Sequence, residues 1–203
     1  MKKIYSSVNF EAIAEKIKKG CIGVLPTDTN YGLVANPFDE KACQMLFEVK
    51  QRDYGKPLTL FVANPNDIFK YIDCTLDEKK KIESMIEAHW PGPLGIIANK
   101  NKKNAPDNAF FDKDTISMVC NKNEILRKII HSLGGPIGMT SANISGEVID
   151  GLIDADMAKN RFNTKIDFFV EDDSDAKETT TSGTIVKIHN GIVETLRQGD
   201  IYV

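Results

Sequence analysis

The stretch Cys21-Ile22-Gly23-Val24-Leu25-Pro26-Thr27-Asp28-Thr29-Asn30-Tyr31-Gly32-Leu33 decides the fold class. Its first five residues form a short apolar run, the signature of a strand buried on both faces, and Pro26 closes it. The octet that follows, residues 26–33, gathers hydroxyls, an amide and a phenol beside a glycine that lets the backbone approach a ligand. By spacing alone the octet reads equally well as a capped turn.

Outward from this stretch, apolar periodicity predicts the remaining elements. Phe10, Ile13, Ala14 and Ile17 recur at helical spacing, predicting a helix over 8–19 that Gly20 stops. Ala42, Met45, Leu46 and Val49 predict a second helix ending near Lys50, and Pro57 to Val62 a strand. Ile82, Met85 and Ile86 mark a third helix that stops before Trp90-Pro91-Gly92-Pro93. Leu94 to Ala98 and Thr115 to Cys120 read as strands around a polar loop at 99–113. Ile125, Leu126, Ile129, Ile130 and Leu133 give a helix ended by Gly134-Gly135, and a short strand, Ile137 to Thr140, follows. A weaker helix covers 154–161, and the acidic, hydroxyl-rich segment 171–182 is expected to be mobile. Gly183 to Ile188 and Ile192 to Leu196 flank Asn190-Gly191, a strong hairpin signal. Strands alternating with helices argue for an α/β chain with a mixed sheet, as a single domain over residues 1–203.

Composition narrows the function. With 203 residues, 41% hydrophobic and 27% charged, the chain can bury a sizeable core. A net charge of −3 and a pI near 5.7 leave nucleic-acid binding dependent on a local patch. The N-terminus lacks the apolar core of a signal peptide, and no run approaches the ~18 apolar residues of a membrane span, so no membrane partner is expected. Cys21, Cys43, Cys74 and Cys120 are scattered and read as reduced thiols of a cytoplasmic protein. His89, His131 and His189 show no ligand spacing, so no metal site is expected.

No phosphate-binding glycine loop, nucleophile elbow or zinc-protease motif is present. The polar clusters sit at strand ends, where α/β sheets bind ligands. Besides the octet, Lys50-Gln51-Arg52 and Lys56-Pro57-Leu58 bring point charges and a planar guanidinium to a helix–strand junction, which suits a polyphosphate. Cations at a helix C-terminus also occur for dipole reasons alone. Thr140-Ser141-Ala142-Asn143-Ile144-Ser145-Gly146 offers side chains and backbone N–H groups to a phosphate, ribose or carboxylate, or else an N-capping turn. Ser182-Gly183-Thr184 enters the hairpin and Arg197-Gln198-Gly199 leaves it, with Arg197 either a phosphate ligand or a surface side chain.

Taken in order, these clusters resemble the YrdC-like family of L-threonylcarbamoyladenylate synthases. The match comprises PTDTNYGL at 26–33, KQR at 50–52, KPL at 56–58, WPGP at 90–93, SANISG at 141–146, TIV at 184–186 and LRQG at 196–199. The resemblance implies a twisted, open mixed sheet with flanking helices and a basic cavity at the strand ends. It implies that threonine, bicarbonate and ATP give threonylcarbamoyl-AMP and pyrophosphate, for tRNA modification. Mg2+ would be carried by the phosphates. It further implies that Lys50 and Arg52 are catalytic and neutralise phosphate, and that Ser141, Asn143 and Arg197 hold the nucleotide with them. Thr27, Tyr31 and Thr184 would serve threonine, with Thr29 and Lys56 as further cavity residues. Partners implied are separate threonylcarbamoyl-transferase proteins and tRNA or double-stranded RNA.

Three positions depart from the family pattern. An arginine expected to grip the threonine carboxylate is replaced at Val119 or Cys120, depending on a one-residue choice of alignment. Gly95 stands for a threonine and Gly183 for a serine. The chain ends soon after LRQG, as expected of the short, single-domain type. A divergent YciO-type paralogue using another acceptor, or a double-stranded RNA-binding module built on Lys50, Arg52, Lys56, Lys100, Lys102 and Lys103, are the alternative readings.

Overall fold

The structure is a computed structural model that describes residues 4–5, 9–147, 151–172 and 181–203. In chain order its elements are β1 (Ile4–Tyr5), α1 (Phe10–Lys18), β2 (Gly23–Leu25), β3 (Gly32–Ala35), α2 (Glu40–Lys50), β4 (Thr59–Val62), a 3-10 turn (Pro65–Lys70) and α3 (Leu76–His89). There follow β5 (Leu94–Asn99), β6 (Thr115–Cys120), α4 (Glu124–Leu133), β7 (Ile137–Ser141), α5 (Ala155–Phe162), β8 (Phe168–Val170), β9 (Thr184–His189) and β10 (Ile192–Arg197).

Every predicted helix and strand is present, with ends shifted by a few residues. Most of the segment expected to be mobile, 173–180, lies outside the described residues. Three short strands escaped the sequence reading, the first being the two-residue β1. β3 begins inside the polar octet, at Gly32, and β8 is an apolar triplet too short for periodicity to identify.

Local chemistry explains the helix boundaries. Asn9, Asp39, Asn123 and Asp154 each accept a backbone N–H of the first turn, and Thr75 with Glu78 forms a reciprocal capping box. Each such cap is worth about 1 kcal/mol. Gly134, with φ of 75°, ends α4 in the left-handed conformation that favours glycine. Asn190 and Gly191, with φ of 51° and 74°, make the expected tight turn between β9 and β10.

The strands form one mixed sheet in the order β1-β8-β2-β3-β7-β4-β6-β5-β9-β10. β4 pairs parallel with β6 and antiparallel with β7, while β5 pairs antiparallel with β6 and parallel with β9. Alternation divides the side chains between two faces. The first face carries Val24, Leu33, Leu60, Met118, Ile96 and Val186, packed under Leu46 and Phe47 of α2, Ile82 and Ile86 of α3, and Phe162 of α5. The second face is treated differently along its width. Leu25, Val34, Ile137, Met139, Phe168 and Val170 are covered by Ile13 and Ile17 of α1 and by Leu126, Ile129 and Ile130 of α4. The part of that face made by β4, β6, β5 and β9 has no such cover among the described residues, and a cleft opens there.

Candidate active site

The cleft has a volume of about 400 Å³. Its floor is built from every second residue of adjacent strands: Thr59 and Phe61 of β4, Ser117 and Val119 of β6, Gly95 and Ile97 of β5. Register aligns Thr59 with Ser117 and Ser117 with Ile97, so the floor is a row of side chains crossing the sheet. The cleft starts at the strand ends, as the polar clusters implied, and continues across the sheet face.

The 26–33 segment forms one wall through its own hydrogen bonds. Thr27 Oγ1 donates to the Asn30 carbonyl at 2.6 Å and accepts the Thr29 N–H at 3.0 Å. Asp28 is tied to the end of β6. Its N–H donates to Asn121 Oδ1 at 3.1 Å, and its carboxylate accepts from Asn121 Nδ2 at 2.5 Å and from the Lys122 N–H at 3.1 Å. Burial raises the Asp28 pKa above the usual carboxylate value, although these hydrogen bonds oppose the shift. Asn30 joins the wall to the hairpin by donating to Ser182 Oγ at 3.1 Å. The Tyr31 ring stacks on Phe169 with centroids 5.8 Å apart, and its hydroxyl accepts the Asp172 N–H at 3.1 Å.

The cations sit where helix α2 ends. Gln51 adopts a left-handed conformation, φ 54°, and the Arg52 N–H reaches back to the Phe47 carbonyl at 2.9 Å. This reversal sends Lys50 and Arg52 to different places. Arg52 lines the cleft, with Nε on the Lys56 carbonyl at 2.6 Å and one terminal nitrogen on the Pro57 carbonyl at 2.9 Å. Lys50 is buried behind the wall, its ammonium bonded to Ser141 and Asn143. At the far end of the chain, Arg197 lines the cleft and donates from Nε to the Gly183 carbonyl at 2.8 Å. Burial lowers the pKa of both guanidiniums below the ordinary arginine value, and neither has a carboxylate partner among the described residues.

Thr27, Thr29, Tyr31, Arg52, Ser141, Thr184 and Arg197 therefore line one cleft. Lys50 and Asn143 stand behind it, and Lys56 is exposed outside it. Two of the hydroxyls are already committed: Thr27 to Asn30, and Thr184 to the Ile201 carbonyl at 2.7 Å. The basic patch that RNA binding would need is thinned. Lys50 and Lys100 are buried and Lys102 pairs with Asp114 at 3.0 Å.

The two candidate positions for the expected arginine face opposite ways. Cys120 is fully buried in the core of the first face, whereas Val119 faces the cleft. Gly95 is its neighbour, since a Cβ on Gly95 would lie 3.7 Å from Val119 Cγ2. Gly183 is glycine for a steric reason: a Cβ there would meet the Pro93 carbonyl oxygen at 2.5 Å.

Sequence reasoning passed over Thr59, Ser117 and Asn121. Their signal was available, because polar residues at alternate positions of otherwise apolar strands mark an uncovered face. Among the described residues, no group of three or more His, Cys, Asp or Glu side chains comes together to hold a metal ion.

Fold and site together define an α/β protein whose half-covered twisted sheet carries a cleft lined by two arginines. The family model for Sua5, YciO and YrdC proteins, described as telomere recombination, matches residues 15–199, and the chain belongs to this family. A Methanocaldococcus jannaschii protein, provisionally named a threonylcarbamoyl-AMP synthase, is 34% identical over 94% of this chain and 86% of its own length. The threonylcarbamoyl-AMP synthase of Blochmanniella floridana is 30% identical over 72% of this chain and 76% of its own. Among solved structures, P. abyssi Sua5 complexed with L-threonine superposes with a TM-score of 0.80 at 26% identity, over 94% of this chain and 54% of that one. This chain thus spans about half the length of the P. abyssi protein. E. coli YciO, at 20% identity and a TM-score of 0.82, shares the fold over 98% of this chain and 97% of its own. No helix among the described residues is long and apolar enough to cross a membrane.

Proposed function

We propose that the protein is a threonylcarbamoyl-AMP synthase, joining threonine, bicarbonate and ATP. The observation that carries this reading is the pair Arg52 and Arg197. Each opens into one cleft and keeps N–H donors that no carboxylate among the described residues uses. Desolvated guanidiniums that keep free N–H donors and have no carboxylate partner among the described residues are suited to bind anions of a ligand.

The reaction needs no covalent nucleophile from the protein. The threonine amine, once it has lost a proton, adds to carbon dioxide derived from bicarbonate and gives a carbamate. A carbamate oxygen attacks the α-phosphorus of ATP, and the bond to the bridging oxygen of pyrophosphate breaks. Charge moves onto the leaving pyrophosphate, so positioning and electrostatic stabilisation carry the catalysis. Arg52 and Arg197 neutralise phosphate charge, and Ser141 sits on the nucleotide side. Thr27, Tyr31 and Thr184 wall the threonine side, mostly by shape, because their oxygens serve internal bonds. Magnesium would arrive on the triphosphate, since the described residues supply no carboxylate cage, and no step is assigned to it. The product would pass to separate transferase proteins acting on tRNA.

One observation favours a second reading. Val119 and Gly95 make an apolar floor where the family resemblance leads one to expect an arginine and a threonine. A YciO-type paralogue, binding nucleotide but using another acceptor, would have such a floor. Incubation with ATP, magnesium, bicarbonate and threonine, followed by mass spectrometry for threonylcarbamoyl-AMP and a pyrophosphate assay, separates the two. Threonine-dependent product is expected. Nucleotide binding without product would replace the synthase with the paralogue.

A further inference from the structure

We propose that Lys50 is a positioning residue: its ammonium builds the 141–145 turn that presents Ser141 to the cleft, and it does not touch the ligand. The clamp stands on geometry alone. Only the identity of the ligand it serves rests on the nucleotide reading above.

Lys50 is the last residue of α2 and is 1% exposed. Its Nζ donates to the Ser141 carbonyl at 2.5 Å, the Asn143 carbonyl at 2.8 Å and Asn143 Oδ1 at 3.0 Å. An ammonium has three N–H donors, and the three nearest oxygens take them, with a fourth, Ser141 Oγ, at 3.5 Å. The turn answers in kind, since the Ser145 N–H donates to the Lys50 carbonyl at 3.1 Å. Within the turn, the Ser141 hydroxyl donates to Asn143 Oδ1 at 2.7 Å, and Asn143 Nδ2 donates to the Ile144 carbonyl at 3.0 Å. Both ends of the turn therefore hang on one residue of α2. Ser141 lines the cleft and Lys50 does not. A phosphate contact would require the ammonium to surrender an oxygen it already holds.

The charges around the clamp make it sensitive to protons. Burial, reinforced by the positive charges of Arg52 and Lys56, pushes the Lys50 ammonium down to about 7, and Glu147 opposes the shift. Glu147 is itself held by Arg161 at 2.6 and 2.9 Å. A neutral amine has two N–H donors for three oxygens and must drop one. The turn is then fully tied below neutral pH and loosens as pH rises through the lowered lysine value.

The test is amide hydrogen exchange of the ligand-free protein at pH 6 and pH 8.5, corrected for intrinsic exchange, in the wild type and in Lys50→Met. ATP affinity is measured alongside, without threonine. In the wild type, protection of the Ser145 amide should fall about tenfold from the lower to the higher pH, the equivalent of one charge-assisted hydrogen bond. In Lys50→Met it should be low at both. ATP affinity should weaken in step in the wild type and show no pH limb in the variant. If Lys50→Met folds poorly, Lys50→Gln takes its place, since its amide carries no charge and cannot supply three N–H donors. Protection at Ser145 that is equal to the wild type in a folded Lys50→Met that has lost ATP binding overturns the clamp and makes Lys50 a phosphate ligand, whereas flat wild-type protection with low protection in Lys50→Met keeps the clamp and overturns its pH dependence. Absence of ATP binding by the wild type would instead remove the nucleotide reading, and Ser145 exchange would still decide the clamp.

Discussion

Two halves of one sheet face have opposite chemistry. Beneath α1 and α4 the face is apolar, with Leu25, Val34, Ile137, Phe168 and Val170 all within 2% of complete burial. A few strands away the same face shows Thr59, Ser117, Asn121 and Gly95 to a cleft. Among the described residues the cleft thus lies where the helix layer ends, not in a hole in the core. The helix pair α1 and α4 is placed over β2, β3, β7 and β8, and the residues of β4, β5 and β6 that would have met a helix include Thr59, Ser117 and Gly95 between the apolar Phe61, Val119 and Ile97. Burial that would have stabilised the fold is given up for a site, as is usual where ligands bind. Met139 and Phe61 mark the border, since both pack with the covered half and also line the cleft.

This contrast predicts that the halves fail differently. Phe168→Ala, in the covered half, should cost about 3–5 kcal/mol in urea unfolding, because the ring is fully buried and lies against Gly23. ATP affinity of the folded fraction should not change. A large affinity loss with little loss of stability would show that the halves are not separable.

Arg52→Ala or Arg197→Ala should do the reverse. Each removes a guanidinium from the cleft, and kcat/KM for pyrophosphate release should fall on the order of 10²-fold. Unfolding should shift little, since among the described residues each arginine hydrogen-bonds to nearby backbone carbonyls, with Arg52 also lying over the Phe47 ring at 5.7 Å. A variant that keeps activity would remove that arginine from the phosphate role. A destabilisation matching that of Phe168→Ala would make it a structural residue.

The sequence made the helices, the hairpin and most strands legible because each carries a local signal: a 3.6-residue stripe, a cap, or Asn-Gly. β8 was not legible, because Phe168-Phe169-Val170 is too short to display a period and depends on β1 and β2 for its partners. The motifs identified most of the cleft, since Thr27, Arg52, Ser141 and Arg197 do meet. They could not separate Lys50 from Arg52. That separation follows from the left-handed backbone at Gln51, a residue that pattern alone would not place there. Nor could they choose between Val119 and Cys120, because adjacent strand residues look alike in sequence and opposite in space.

That choice supplies the smallest and most informative prediction. Val119→Arg adds a guanidinium to the floor beside Gly95, where the space is open enough to admit it. Val119 is only partly buried, so the new charge is not stranded in the core, as it would be at Cys120. If the floor limits threonine binding, the KM for threonine should fall by about tenfold, the worth of one exposed charge-assisted contact, with kcat little changed. If the KM is unchanged while the wild type makes product, the threonine carboxylate is held by the cleft's existing arginines, and the apolar floor carries another part of the substrate. If threonine-dependent product appears only in the variant, the natural acceptor is a different molecule, and the uncovered half of the face selects it through Val119 and Gly95.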